Sequence, residues 1–145
     1  MTTRDSAAAY IAFLEALTPE RLPELAGHLA PEARFKDPFN DVTGREAVLR
    51  VFAKMFEDVT DIDFAARDLA CGEAACFFSW TLRCRPRRSG RMLTLEGATE
   101  LRFDDEGRIA AHIDHWDAAG QLYAKVPILG LLMARLRRRL SAEHA

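Results

Sequence analysis

Two acids in this sequence sit where chemistry could be done. Asp37 ends the run "ARFKD", in which Ala33, Phe35 and Asp37 fall on one strand face and Arg34 and Lys36 on the other. The basic pair belongs in water, so the acid closes the apolar face, and Pro38 and Phe39 follow it. Asp114 shares a face with His112 and Trp116 in "HIDHWD", with Ile113 and His115 opposite. Desolvation raises a carboxyl pKa, and a second carboxylate nearby raises one of the pair further. If Asp37 and Asp114 enter one apolar cavity, a carboxylate there can take a proton from a carbon acid near neutral pH. A hydroxyl from Tyr10 or Thr99 would steady the resulting enolate. His112 and Asp114 could also act as an acid–base pair, or hold a water between them.

Each residue has a structural reading beside the chemical one. An aspartate before proline can cap its own turn through backbone N–H groups. Tyr10 can be a core aromatic whose hydroxyl meets a carbonyl. His112 with Asp114 can be an ion pair or a supporting hydrogen bond. Thr99 can be a satisfied strand threonine, on one wall with Leu93, Leu95, Gly97, Leu101 and Phe103. Trp80, which shares a face with Phe78 and Leu82, and Trp116 can be core or pocket wall. His28 and His144 read as surface residues, and His115 as a residue of a subunit contact.

The elements that must position these groups can be read in order. Tyr10, Phe13, Leu14 and Leu17 give a helix over 5–17, with Asp5 or Ser6 as cap. A second helix starts with Thr18 as cap and Pro19 in its first position, and runs to about Leu29. After the strand that ends at Asp37, "TGRE" reads as a capping box of Thr43 and Glu46, opening a helix over 44–58. Strands follow at 61–70, 74–85, 91–104 and 107–117, joined by the turns "CGEA", "PRRSGR" and "DDEGR". Connections this short imply antiparallel pairing. The expected fold class is α+β: a cone of three N-terminal helices packed on a strongly curved, mostly antiparallel sheet, open to one side as a pocket.

Tyr10 in the first helix, "FKDP" at 35–38 and "HIDHWD" at 112–117, in this element order, resemble the nuclear transport factor 2-like superfamily. That superfamily includes the ketosteroid isomerases, the SnoaL-like polyketide cyclases and limonene epoxide hydrolase. The resemblance spans residues 5 to about 117. It implies that Asp37 occupies the general-base position of the ketosteroid isomerases, and that Tyr10 lies where their oxyanion donor would. Thr99 stands at the place of their second donor, an aspartic acid. Asp114 is similar to the acid that the polyketide cyclases carry on the last strand. The central arginine of the epoxide hydrolase's Asp-Arg-Asp set finds no match. The resemblance also implies a homodimer, a cofactor-free enzyme, and a small, largely apolar carbonyl or epoxide ligand. Asp37, Asp114, His112 and Tyr10 would be catalytic; Thr99, Trp116, Trp80, Phe39 and Phe35 would bind the ligand. The alternative is a non-catalytic binding or interaction module of the same fold.

The bulk numbers set the frame. The 145 residues make a single domain, with 119–145 as a C-terminal helical extension. A net charge of -2 and a pI near 6.1 argue against nucleic-acid binding. Three cysteines, Cys71, Cys76 and Cys84, form no CxxC and have no histidine at a metal-ligand spacing, so reduced thiols and no metal are expected. No phosphate-binding loop appears. There is no secretory signal and no apolar run of the roughly 18 residues a membrane span needs, so a cytoplasmic protein is expected. In 121–140, Leu129, Leu132, Met133 and Leu136 have helical spacing and precede or flank Arg135, Arg137, Arg138 and Arg139, while Pro127 and Gly130 imply a break or late start. Such a helix can pack on the sheet or a partner subunit, or lie on an anionic membrane.

Overall fold

In the computed structural model, which describes residues 1–142, a six-stranded curved sheet that does not close is covered on one face by helices. His144 lies outside the described residues. Helix α1 covers Thr3–Glu15 and α2 covers Leu22–Leu25, between single 3-10 turns at Pro19–Arg21 and Ala26–His28. Strands β1 (Leu29–Lys36) and β2 (Asp41–Thr43) lead to α3 (Arg45–Asp58). Strands β3 (Val59–Cys71), β4 (Cys76–Pro86), β5 (Leu93–Phe103) and β6 (Ile109–His115) form the meander. Helices α4 (Ala118–Gln121) and α5 (Pro127–Leu140) follow.

The sheet order is β2-β1-β6-β5-β4-β3. Every pairing is antiparallel except β1 with β6, which is parallel and sets Phe35 beside His112. The core lies between the inner face and α1 and α3, with Tyr10, Leu25, Leu29, Phe78, Leu101 and Ile109 nearly inaccessible. Alternation along β4 and β5 puts Phe78, Trp80, Leu95, Thr99 and Leu101 inward.

Local details depart from the sequence reading, each for a stereochemical reason. The cap of α1 is Thr2, whose hydroxyl accepts from the Asp5 N–H while Asp5 bonds back to the Thr2 N–H; Asp5 is the third helical residue, not the cap. Gly44, not Thr43, precedes α3, because the chain leaves β2 through φ +102°, a conformation that favours glycine; no capping box forms. The second helix is broken into short turns, and β2 is an added strand held by Arg34 to Asp41 at 2.8 Å. Cys71 and Cys76 are bonded as a disulfide rather than reduced, because the β3–β4 register sets them directly opposite at the hairpin end. Cys84 is the free cysteine, buried, with burial raising its thiol pKa. His28 is half-buried against Phe13 with ring centres 4.3 Å apart, and desolvation lowers its pKa.

Gly97 is fixed by a close approach. It faces Trp80 across β4–β5, and a Cβ placed on it would lie 2.6 Å from the indole ring and 2.8 Å from the His115 carbonyl oxygen. Gly97→Ala is therefore expected to destabilise the protein by about 1–3 kcal/mol through overpacking. The tryptophan emission should shift with it. An unchanged melting temperature and spectrum would refute this account.

Candidate functional site

The inner face of β6 presents His112 and, two residues on, Asp114, beside Phe35 of β1 and Thr99 of β5. The four hydrogen bonds that join these groups to their neighbours run in a single line. The Trp80 indole N–H donates to Thr99 Oγ1 at 2.8 Å, and the Thr99 hydroxyl donates to Asp114 Oδ1 at 2.5 Å. Asp114 Oδ1 also meets His112 Nε2 at 2.9 Å, and His112 Nδ1 meets the Tyr10 hydroxyl at 2.9 Å. Burial, and then the negative charge of Asp114, raise the pKa of Tyr10, so it stays a phenol and a donor. A phenol donating to Nδ1 leaves the ring proton on Nε2, where it points at the Asp114 carboxylate. Every donor in the line then has an acceptor.

This line backs onto a cavity of about 570 Å³. Asp37, Asp114 and His112 all line it; the wall includes Phe35, Phe39, Trp80 and Trp116. Helix α3 and strand β3 add Phe52, Met55, Ile62 and Phe64, which are not among the site residues read from the sequence. Tyr10 and Thr99 are absent from the lining. Their hydroxyls are spent on His112 and Asp114, one layer behind, where the sequence reading had them donate to a ligand.

The two acids differ in what holds them. Asp37 Oδ1 accepts from the Phe39 and Asn40 N–H groups, at 2.8 and 2.7 Å, and from the Asn40 amide, which also reaches Oδ2 at 3.2 Å. This is the turn reading of an aspartate before proline, and "DPFN" contains its signal. Asp114 is held through Oδ1 alone; among the described residues Oδ2 has no hydrogen-bond partner, and the side chain is 20% exposed. Thr99 and His112 thus fix the carboxylate plane and leave one oxygen for the cavity. Among the described residues no group of His, Cys, Asp and Glu side chains could hold a metal ion. His115 faces the other way, 3.7 Å from Glu100.

The raised pKa of Tyr10 gives a pH dependence. Folding favours its neutral form, so the stability it contributes is present below the ordinary tyrosine value near ~10 and is lost as pH rises beyond it. Tyr10→Phe should flatten the fall of melting temperature between about pH 9 and 11. A slope equal to that of the unaltered protein would refute the assignment.

The profile of the SnoaL-like domain matches residues 10–112. Among curated proteins none matches the chain. Of solved structures, an NTF2-like protein of unknown function from Burkholderia pseudomallei is 18% identical, with 98% of this chain and 100% of that chain covered and a TM-score of 0.70. A protein with a ketosteroid isomerase-like fold from Catenulispora acidiphila, in complex with trimethylamine, is 16% identical, covering 83% and 92% at a TM-score of 0.70. An LEH-like epoxide hydrolase of M. tuberculosis is 18% identical, covering 92% and 94% at a TM-score of 0.66. At these identities the structures attest the fold, and the profile attests the family. With more than half its length matched, from the helix that bears Tyr10 to the strand that bears His112, and with the fold seen in NTF2-like structures, this chain belongs to the SnoaL-like domain family.

Proposed function

We propose that the protein is an acid–base enzyme that isomerises, cyclises or hydrolyses a small, largely apolar carbonyl or epoxide compound. The observation that carries this reading is the Asp114 carboxylate, which lines an apolar cavity with Oδ1 held by Thr99 and His112 and, among the described residues, no partner on Oδ2. Sequence reasoning put the base at Asp37. The turn bonds that engage Asp37 favour Asp114 for that part, with Asp37 as the second acid of the cavity. With a carbonyl compound, Asp114 Oδ2 would take a proton from the carbon beside the carbonyl, leaving an enolate, and return it elsewhere on the product. With an epoxide, the same oxygen would take a proton from a water that attacks a ring carbon; the ring C–O bond breaks, and the alkoxide so formed takes that proton back to give the diol. His112 and Thr99 keep the carboxylate from rotating between these steps, and Tyr10 holds the imidazole tautomer. The cavity supplies apolar surface for the rest of the ligand, with Trp80, Trp116, Phe35 and Phe39 as walls.

A second reading is binding without turnover. It draws support from the same bonds: both ring nitrogens of His112 and Oδ1 of each acid are already engaged within the protein.

A panel of apolar enones and epoxides separates the two, with product followed by mass spectrometry and binding by quenching of tryptophan emission. Asp114→Asn should cut kcat by about 100-fold or more while leaving affinity within roughly threefold; Asp37→Asn should cost about tenfold or less. Full activity in Asp114→Asn would sink the assignment of the base. Quenching without product from any panel member would favour the binding module.

A further inference from the structure

Helix α5 has no buried residue, although most of its side chains are apolar. Ile128 is 84% exposed, Leu131 76% and Leu140 79%, with Leu132 and Leu136 about half exposed. Soluble domains seldom leave so many large apolar side chains together in water. The sheet does not bury them: no strand meets α5 at more than a few points, and the helix stands chiefly on the turn at Tyr123–Lys125.

The charges on the segment say what it meets. From Ala118 to Ala142 there are five basic residues, Lys125, Arg135, Arg137, Arg138 and Arg139, and no acidic one. The whole chain is net -2, so the rest of the protein is the acidic part. At i, i+4, i+7 and i+11, Ile128, Leu132, Arg135 and Arg139 run along one line of the helix, so the exposed apolar strip ends in cations.

We infer that α5 is a lipid-surface anchor, lying in the headgroup region of an anionic bilayer with Ile128, Leu131 and Leu132 in the acyl boundary and the arginines on lipid phosphates. Apolar side chains beside long basic ones suit that boundary, because the stems of the arginines lie along apolar surface while their heads reach the phosphates. Among the described residues no helix is long and apolar enough to cross a membrane, which fits a helix lying in the surface. A second copy of α5 suits the face less well. The apolar spacing lasts for two heptads, short of the roughly three to four that sustain a coiled coil, and the partner helix would bring like charges and no acid. The anchor also stands near the cavity: Tyr123 packs on Phe39 at 6.1 Å between ring centres, and Phe39 and Leu122 line the cavity wall. The inference stands on α5 alone and does not depend on the chemistry at Asp114.

The test is flotation of the full chain with vesicles of phosphatidylcholine alone and of phosphatidylcholine with about one-third phosphatidylglycerol. Binding is expected on the anionic vesicles, weakening about fivefold for each arginine neutralised in Arg138→Gln and Arg138→Gln/Arg139→Gln, and falling as salt rises. Ile128→Asp/Leu131→Asp should abolish it while keeping the melting temperature, since neither side chain is buried. No binding to either vesicle, equal binding to both, or binding that survives the double aspartate change would overturn the inference. So would a dimer, seen by light scattering, that the aspartate changes dissociate while the unaltered chain leaves vesicles bare; that result assigns the face to a second copy.

Discussion

A carboxylate and an imidazole on one inward strand face must be satisfied within the protein, and that requirement organises the molecule. His112 is almost fully buried, and Asp114 Oδ1 sits against it. Buried polar groups left unpaired cost more than most single contacts return. The surrounding elements meet this demand: α1 brings a phenol to one ring nitrogen, and β5 brings a hydroxyl to the carboxylate. Strand β4 then supplies an indole N–H to that hydroxyl, and no buried side-chain nitrogen or oxygen among the described residues lacks a partner. The packing of α1 on the sheet is therefore tied to a hydrogen bond as well as to apolar area.

The parallel pairing of β1 with β6 is the second determinant. It sets Phe35 against His112, with ring centres 4.8 Å apart, and carries the chain on to Asp37 at the cavity wall. Because β1 comes early and β6 late, their pairing joins residues 77 positions apart, such as Phe35 and His112, and the Tyr10–His112 bond spans 102. Such non-local contacts come at a high loop-closure cost and form only with the whole sheet.

Much of this was legible in the sequence where a short period decides the outcome. The alternation that set Thr99 inward with Leu95 and Leu101, and His112 with Asp114, depends on pleat alone. The order of helices and hairpins follows from spacing and turn residues. Who bonds to whom was less legible, because it depends on register across strands. That Thr99 would face Asp114, or Cys71 face Cys76, requires knowing which residues stand opposite, and bulges in β1–β6, β3–β4 and β5–β6 shift that count. Asp37 had both a turn reading and a base reading; its bonds to Phe39 and Asn40 are local and were visible in "DPFN", whereas its place on the cavity wall was not.

Gly97 and Trp80 occupy a single volume shared by two strands. Neither position is free to vary alone. A chain that gains a side chain at 97 must first lose the ring at 80, and losing the ring removes the donor that orients Thr99 toward Asp114. Substitution at this point of the sheet has a fixed order, and its intermediate step loosens the carboxylate. The glycine, which bears no functional group, thereby restricts the routes by which the site can be rebuilt.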